Sequence, residues 1–265
     1  MIIGFIGAGN MAGAIINNMV SSGIHPAGQI MVYDILKDKR DAFQKKGLLA
    51  AGSIPELVKS CDIIFLSVKP QNFVEVLEEA RKEVKKEKLF VTIAAGISTG
   101  YVTRLLSCDC PVIRVMPNTP LLIGQGATAI TRSEDVTDKE FAFIQSIFAS
   151  CGTVTVLDES KMNAVISVNS TSPAYVYLLA KAVIEGGAKQ GIDTDTSLKL
   201  FCQALIGSAE MMLKSGYTPD ELIEMVSSPG GTTLKALDVF YEYRFEEMID
   251  KAMLACTKRA EELGR

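Results

Sequence analysis

A glycine-rich turn near the start of the chain limits its fold more than any other feature. The segment "IIGFIG" (residues 2–7) is a short apolar run typical of a buried parallel strand, and "GAGNMA" (7–12) follows it and opens a helical pattern. Gly7 permits a tight turn, Gly9 lets the backbone approach a pyrophosphate, and Ala12 lets the helix pack close to the strand. This G-x-G-x-x-A pattern stands between a strand and a helix, which is the context it needs. We therefore expect a dinucleotide site here, the alternative being a tight turn without a ligand.

The next apolar segment ends in an acidic residue that bears on the choice of cofactor. Asp34 closes the predicted strand 29–34, about 25 residues after the glycines. An acidic side chain there can accept a hydrogen bond from a ribose 2′-hydroxyl and would repel a 2′-phosphate. Lys37, Lys39 and Arg40 follow closely, however, and can neutralise a 2′-phosphate. The predicted cofactor is NAD(H) or NADP(H), with a slight preference for NADH on these residues alone.

Strand and helix patterns alternate through residues 1–158. Further strands are predicted at 63–68, 89–96, 111–116, 127–132 and 152–157, with helices at 38–47, 71–87, 98–106 and 137–150. This alternation predicts an α/β domain of the Rossmann type, with a doubly wound parallel sheet whose last strands run antiparallel. The loop "MPNTP" (116–120) carries two prolines and should be rigid. We expect it near the nicotinamide end of the cleft, and a purely structural turn stays open as the alternative.

The second half, residues 159–265, shows only helical patterns. They cover residues 160–190, 194–215, 219–227 and 233–262. Stretches such as "AYVYLLAKAVI" and "LFCQALIGSAEMML" are apolar on several faces, which indicates burial on more than one side. In a domain of about a hundred residues this favours a subunit interface. We therefore expect an all-helical domain that forms a homodimer.

The overall composition argues against several kinds of partner and site. The net charge is −4, so no basic face for nucleic acid is implied, and no apolar run approaches the roughly 18 residues of a membrane span. No signal-peptide pattern is present at the start, so the predicted location is the cytoplasm. Six cysteines are scattered without a CxxC pair, and His25 is the only histidine. We predict no metal site, reduced and buried cysteines, and a His25 that lies in a surface loop and is not a catalyst.

The segment "SSPGGTTLKAL" (227–237) interrupts this helical half with glycines, hydroxyls and free N–H groups. Its structural interpretation is that it ends one helix and begins another, with Thr232 or Thr233 as the N-cap. Two glycines and two threonines exceed what capping needs. We therefore favour a functional interpretation, in which N–H groups at a helix start bind an anion.

Six phrases, in this order and spacing, give the chain a resemblance to a known family. They are "FIGAGNMA", "LSVKPQ", "IAAGIS", "RVMPNTP", "SPAYVYLLAKAVIEGGAKQGI" and "SSPGGTTLKAL". Together they resemble the pyrroline-5-carboxylate reductases, which share the layout of the 6-phosphogluconate-dehydrogenase-like families. The resemblance covers essentially the whole chain. It implies reduction of L-1-pyrroline-5-carboxylate to L-proline with NADPH or NADH, in the last step of proline biosynthesis.

The resemblance also implies roles for individual residues. The pyrophosphate would be held by Ile6, Gly7, Ala8, Gly9, Asn10 and Met11. The rest of the dinucleotide would be lined by Ser67, Val68, Lys69, Pro70 and Ala94, with Asn118 near the nicotinamide. The substrate would be held by Gly230, Gly231, Thr232 and Thr233, with Glu159 near its amine.

The chemistry of the substrate explains why such a site needs no histidine. A protonated cyclic imine is already a strong hydride acceptor, so the enzyme needs one contact for the carboxylate and one for the nitrogen. Backbone N–H groups of Gly230–Thr232 with Ser228 suit the carboxylate. A threonine hydroxyl can hydrogen-bond the nitrogen and supply its proton. The family match selects Thr233 for this role, whereas capping alone could not choose between the two threonines.

One departure from the family and two rival functions stay open. Where the family usually has Gly-Ser-Gly-Pro-Ala-Tyr, this chain has "STSPAY" (170–175), and Asn169 and Thr171 can contribute polar groups in compensation. A β-hydroxyacid dehydrogenase would need a lysine and an asparagine one helical turn apart, which Lys161 and Asn169 are not. A catalytically inactive regulatory paralogue is the other rival. Activity on related cyclic imines and assembly into a ring of dimers also remain open.

Overall fold

The computed structural model describes residues 1–264, and they form two compact units. Unit 1 consists of Met1–Thr171 together with the chain from Leu254 on, and unit 2 consists of Ser172–Met253. Residues 159–171 therefore cluster with the first unit, although the sequence pattern groups them with the helical half. The domain boundary after residue 158 stays a prediction.

Unit 1 is built on one eight-stranded sheet with the strand order β3-β2-β1-β4-β5-β6-β7-β8. The strands are β1 (Ile3–Ile6), β2 (Ile30–Tyr33), β3 (Leu49–Ala50), β4 (Ile63–Leu66), β5 (Leu89–Thr92), β6 (Val112–Met116), β7 (Gly126–Arg132) and β8 (Gly152–Val156). Strands β1–β6 are parallel, β7 is antiparallel to β6, and β8 is parallel to β7. This confirms the predicted doubly wound sheet and the reversal of its last strands.

The central strands are buried on both faces, which explains their continuous apolar runs. Side chains of β1 alternate between two core clusters: Ile3 and Phe5 belong to one, and Ile6 to the other. Phe5 stacks on Phe65 of β4 with ring centroids 4.4 Å apart. Helices must therefore cover both faces of the sheet, as the alternating pattern of strands and helices predicts.

Eleven α-helices occur within residues 1–264. They are α1 (Asn10–Ser21), α2 (Lys37–Gln44), α3 (Ile54–Ser60), α4 (Phe73–Ala80), α5 (Thr99–Leu106), α6 (Asp138–Ala149), α7 (Ser172–Lys189), α8 (Thr194–Lys214), α9 (Pro219–Met225), α10 (Thr232–Glu242) and α11 (Phe245–Leu263). The sequence reasoning missed β3 and α3, although α3 carries a recognisable start. The Ser53 hydroxyl caps it by accepting the Glu56 N–H at 3.3 Å.

Two long helices predicted in the second half are interrupted. In place of a helix from residue 160, a 3-10 turn (Glu159–Lys161) and a π-helical turn (Ile166–Ser170) precede α7. Pro173 has no N–H donor and fits the first turn of a helix, so α7 begins just before it. The predicted helix 233–262 breaks at Arg244, which has a left-handed φ of +52°. No glycine or proline marks this break in the sequence.

Unit 2 leaves many large apolar side chains exposed when it is considered by itself. Helices α7 and α8 pack against each other. Nevertheless Leu178, Leu200 and Leu213 are 69%, 66% and 84% exposed. Exposure of this extent on neighbouring helices is typical of a surface that another chain covers.

Gly96, in the loop after β5, allows the part of α11 that belongs to unit 1 to pack against this loop. Its φ is +81°, and a Cβ at this position would collide with the carbonyl oxygen of Ala260. Ala260 belongs to a small buried cluster with Met116 of β6 and Met162. The loop that contains Ala94 is thus supported by the end of the chain.

We predict that Gly96→Ala lowers the free energy of unfolding by about 3 kcal/mol, because a left-handed residue is strained and the new methyl group must displace α11. Gly47→Ala is the matched control, since Gly47 has a φ of +85° but open space around it. Its expected loss is about 1–2 kcal/mol. Urea unfolding of both variants measures the difference, and equal losses would show that α11 does not depend on Gly96.

Candidate functional site

The predicted glycine turn lies at the carboxyl end of β1, beside β4. Gly7 has a φ of +99°, its N–H donates to the Tyr33 carbonyl at 2.7 Å, and a Cβ there would lie 2.7 Å from the Ser67 carbonyl oxygen. Only glycine satisfies both the dihedral angle and the close approach. This is also where the strand order reverses, the position at which doubly wound sheets bind ligands.

Helix α1 begins with backbone N–H groups that no side chain caps. Gly9 is its N-cap, and a Cβ on Gly9 would meet no atom within 4 Å. The positive end of the helix dipole therefore points into open space, which suits a pyrophosphate. Asn10 and Met11 form the first helical turn.

The ends of β4 and β5 add further predicted residues to this edge of the sheet. Residues 67–70 follow β4, and Ala94 follows β5. The Ser67 Oγ is buried and has no hydrogen-bond partner among residues 1–264, so a ligand can supply one. Ile6–Met11, Ser67–Pro70 and Ala94 are called the dinucleotide cradle below. The open N-terminus of α1 and the unpartnered Ser67 Oγ fit a bound dinucleotide.

Asp34 also supports the glycine turn, which sequence reasoning did not anticipate. Its Oδ2 accepts the Ala8 N–H at 2.8 Å, and its Oδ1 accepts the Leu36 N–H at 3.0 Å. The Lys39 Nζ lies 3.5 Å from Oδ2. Oδ2 thus has two donors and Oδ1 has one, so Asp34 retains capacity at Oδ1 for a ribose hydroxyl.

Asn118 lies at the carboxyl end of β6, and both polar atoms of its side chain bind the protein itself. Its Nδ2 donates to the Asn169 carbonyl at 3.0 Å, and its Oδ1 accepts the Ala127 N–H at 2.9 Å. The side chain is buried. A contact of Asn118 with the nicotinamide stays a prediction, and the backbone of its loop is the part best placed to make one.

Glu159 forms an ion pair that the sequence reasoning missed. Its Oε1 lies 3.1 Å from the Arg114 Nη1 and accepts the Thr99 N–H at 3.2 Å, while the Arg114 Nη2 donates to the Asn163 Oδ1 at 2.6 Å. Burial lowers the pKa of Arg114 from its ordinary value, and Glu159 opposes this shift. Arg114 was recognisable as a lone charge within the apolar run "PVIRVM". A substrate amine would have to share Glu159 with this guanidinium.

In unit 2, the glycine–threonine segment (residues 228–233) forms the start of α10. Gly230 has a φ of +73°, Gly231 is the N-cap, and the Gly231 N–H donates to the Ser228 carbonyl at 2.9 Å. The expectation that Thr232 or Thr233 caps the helix is therefore wrong. A Cβ on Gly231 would lie 2.6 Å from the Ser228 Oγ, so this tight turn needs a glycine.

The chemistry of the glycine–threonine segment suits a carboxylate ligand. No side chain caps α10, and neither threonine hydroxyl has a hydrogen-bond partner within the described chain. The Ser227 Oγ is likewise buried without a partner there. The segment thus offers a helix N-terminus and two hydroxyls to an anion.

Two expectations about single residue types need correction. His25 is only 5% exposed, with its ring edge against Phe143, because the loop after α1 folds back onto α6. It is therefore not a surface residue, and burial lowers its pKa. Of the cysteines, Cys202 is exposed, since it lies on an uncovered face of α8. Burial raises the pKa of Cys61 to about 12, so that thiol stays protonated.

Residues 1–264 contain neither a metal-binding cluster nor a membrane-spanning helix. No cluster of three or more His, Cys, Asp or Glu side chains could hold a metal ion. None of the helices in this range has the length and apolar character required to cross a membrane.

Two family models match this chain over separate ranges. The model described as pyrroline-5-carboxylate reductase dimerisation matches residues 159–263, which include the glycine–threonine segment. The model described as NADP oxidoreductase, coenzyme F420-dependent, matches residues 2–96, which include the dinucleotide cradle.

Similar proteins match over nearly the full length. A pyrroline-5-carboxylate reductase from Escherichia coli (strain K12) is 38% identical over 99% of this chain and 98% of its own length. The structure of Plasmodium falciparum pyrroline carboxylate reductase with NADP bound is 28% identical, with a TM-score of 0.92 over 100% of this chain and 98% of that one. The Streptococcus pyogenes 1-pyrroline-5-carboxylate reductase gives a TM-score of 0.90 at 28% identity, covering 99% and 98% of the two chains.

We predict that Glu159→Gln lowers the free energy of unfolding by about 2 kcal/mol, because it leaves the buried Arg114 without a charged partner. The matched control is Glu79→Gln, which removes the exposed ion pair between Glu79 and Lys82 (2.6 Å). Its expected loss is less than about 0.5 kcal/mol. Thermal and urea unfolding measure both variants, and a loss for Glu159→Gln as small as that of the control contradicts a structural role for the ion pair.

Proposed function

Because this chain belongs to the pyrroline-5-carboxylate reductase family, we propose that it reduces L-1-pyrroline-5-carboxylate to L-proline, the last step of proline biosynthesis. The protein is a nicotinamide-dependent oxidoreductase, and the bond reduced in the proposed reaction is the C=N bond of a cyclic imine. The main support is the full-length match with reductases of this family. The simplest test follows NAD(P)H absorbance in the presence of the imine. An absence of oxidation at high enzyme concentration would favour an inactive paralogue.

The dinucleotide cradle is proposed to hold NAD(H) or NADP(H), and the bound cofactor supplies the hydride. The N–H groups at the start of α1 bind the pyrophosphate, and the turn at Gly7 keeps these groups in place. The Ser67 Oγ gains a partner when the dinucleotide is present. Lys69, Pro70 and Ala94 follow the ends of β4 and β5 at the same edge of the sheet and are proposed to line the rest of the dinucleotide.

The glycine–threonine segment is proposed to bind the two polar ends of the substrate. Backbone N–H groups of Gly230–Thr232 and the Ser228 hydroxyl take the carboxylate, aided by the dipole of α10. The Thr233 Oγ accepts a hydrogen bond from the N–H of the iminium, and after hydride transfer its hydroxyl can donate to the lone pair that forms on the ring nitrogen. Since His25 is buried, no imidazole takes part. The iminium form of the substrate already accepts hydride readily, so orientation is the main requirement.

We predict that Thr233→Ala lowers kcat/KM for the imine by about tenfold to a hundredfold, because a hydrogen bond to a charged nitrogen is lost. Thr233→Ser keeps the hydroxyl and should recover most of the activity. Thr232→Ala keeps the backbone N–H and should lose much less than Thr233→Ala. If the two alanine variants are equally impaired, the assignment of the nitrogen to Thr233 is wrong.

Glu159 remains a proposed contact of the substrate amine, and kinetics can separate this role from its ion pair with Arg114. A contact with the substrate would raise KM for the imine in Glu159→Gln, even at temperatures where the variant is fully folded. An unchanged KM together with the loss of stability predicted above would leave only the structural role.

For cofactor preference, we propose that NADH is used better than NADPH. The Asp34 side chain is 10% exposed, so its charge is poorly screened and opposes a 2′-phosphate. The Lys39 ammonium, at 3.5 Å from Oδ2, offsets this charge only in part, because its side chain is 43% exposed. Of the remaining cations, Lys37 pairs with Asp41 at 2.7 Å, and Arg40 stacks over Tyr33.

We predict that Asp34→Ser raises the ratio of kcat/KM for NADPH to that for NADH by about tenfold, because it removes about 1.4 kcal/mol of repulsion. Asp135→Ser makes the same change of charge in the exposed loop between β7 and α6, where Asp135 forms no ion pair within the described residues, and is the matched control. Its ratio should stay within about twofold of that of the unmodified protein. Equal shifts in both variants would mean that only net charge matters, and no shift in Asp34→Ser would refute the proposed role.

The assembly is a homo-oligomer, and we propose that its basic unit is a dimer formed through the helical unit. The exposed leucines of α7 and α8 and the match of the dimerisation model to residues 159–263 support this. A ring of dimers, the absence of nucleic-acid and membrane partners, and a cytoplasmic location stay predictions. Light scattering measures the first of these directly.

A further inference from the structure

Side-chain hydrogen bonds connect the loop between β6 and β7 to the π-helical turn Ile166–Ser170. Asn169 uses both hydrogens of its side-chain amide, donating to the Met116 carbonyl at 2.7 Å and to the Ala127 carbonyl at 3.0 Å. These two carbonyls belong to the last residue of β6 and the second residue of β7. The Asn169 side chain therefore joins the two strands where they separate to form the loop.

Ser170 adds a hydrogen bond to the first residue after β6. Its hydroxyl donates to the Pro117 carbonyl at 2.9 Å and lies 3.0 Å from the Asn169 Oδ1. Asn118, in the same loop, bonds in the opposite direction, since its Nδ2 donates to the Asn169 carbonyl. Pro117 and Asn118 are called the β6 turn below. Four side-chain hydrogen bonds thus connect the β6 turn and the adjacent strand ends to the π-helical turn, and all four lie within unit 1.

Ser170 stands where the family usually has glycine, which cannot donate a side-chain hydrogen bond. Without the hydroxyl, the buried Pro117 carbonyl would lose the hydrogen bond from Ser170, and the Asn169 Oδ1 would lose a donor. An unpaired buried carbonyl is costly, so the turn would move to regain a bond. Because β6 neighbours β5, whose end carries Ala94, such a movement would occur beside the dinucleotide cradle.

We propose that Ser170 is a positioning residue, which sets the place of the β6 turn and thereby the alignment of the nicotinamide half of the cofactor during reduction. The inference depends on the reductase activity proposed above. Within the described residues, the Ser170 hydroxyl bonds the Pro117 carbonyl and the Asn169 Oδ1 and makes no hydrogen bond to the residues that hold the pyrophosphate. Its loss should therefore lower kcat while leaving the dissociation constant of the dinucleotide almost unchanged, because a small displacement affects alignment more than binding.

The experiment compares Ser170→Ala and Ser170→Gly with Ser167→Ala. Ser167 lies on the same π-helical turn, is equally small and is more buried than Ser170, but its hydroxyl donates at 2.8 Å to the Ala164 carbonyl three residues earlier and not to the β6 turn. Hydrogen–deuterium exchange reports on the Ala127 N–H, which binds the Asn118 Oδ1. Steady-state kinetics with the imine gives kcat and KM, and NAD(P)H fluorescence gives the dissociation constant.

We expect both Ser170 variants to raise exchange at Ala127 by about tenfold and to lower kcat by about tenfold, with the dinucleotide dissociation constant within twofold. Ser167→Ala should leave exchange at Ala127 and kcat within twofold. The proposal is overturned if exchange at Ala127 does not change in the Ser170 variants, or if it changes while kcat does not. A parallel loss in Ser167→Ala would also overturn it, since general softening of the turn would then explain the result.

The exchange measurement does not depend on the proposed reaction. If the unmodified protein fails to oxidise NAD(P)H with the imine, the proposed function is wrong, and exchange at Ala127 still decides whether Ser170 holds the β6 turn. If the unmodified protein is active and exchange is unaffected by the substitutions, the function stands and the role of Ser170 is refuted.

Discussion

The close approach of Gly7 to the Ser67 carbonyl is the contact on which the rest of the structure depends. It allows β1 to end in a sharp turn directly beside β4, at the point where the strand order reverses. Two hydrogen bonds hold the turn from the opposite side, from the Gly7 N–H to Tyr33 and from the Ala8 N–H to Asp34. With the turn held by both neighbouring strands, the N-terminus of α1 keeps its free N–H groups aimed at one place.

Three buried polar residues of unit 1, Arg114, Asn118 and Asn169, attach residues 159–170 to the sheet. Arg114 on β6 binds Glu159 and Asn163, while Met116 at the end of β6 and Asn118 in the turn that follows bind Asn169. Each buried polar group would be costly if left alone, so these pairs lock the segment in one position. The segment that precedes the helical unit is therefore part of the architecture of the sheet.

Much of the fold was predictable because its signals are local. Continuous apolar runs indicate strands buried on both faces, and the glycine pattern indicates the turn after β1. The π-helical turn was missed because residues 166–170 look helical, and the break at Arg244 has no marker residue. Thr232 and Thr233 are good capping residues by type, yet Gly231 is the cap, since the tight turn from Ser228 leaves room only for glycine. His25 was predicted to lie at the surface but is buried, because the burial of a loop depends on which element packs over it.

The sequence by itself determined the order of strands and helices, the position of the dinucleotide turn and the family, because each depends on residues that are close together in the chain. The tertiary structure alone decided the partners of Asp34, Arg114, Asn118 and Ser170. Apart from local bonds, such as those of Asp34 to Leu36 and Lys39, their hydrogen bonds join residues far apart in the chain, such as Ser170 with Pro117, which meet only when the sheet has formed. A buried polar side chain is stable only when it has a hydrogen-bond partner, and that partner is often distant in the sequence. A local sequence pattern therefore cannot identify it.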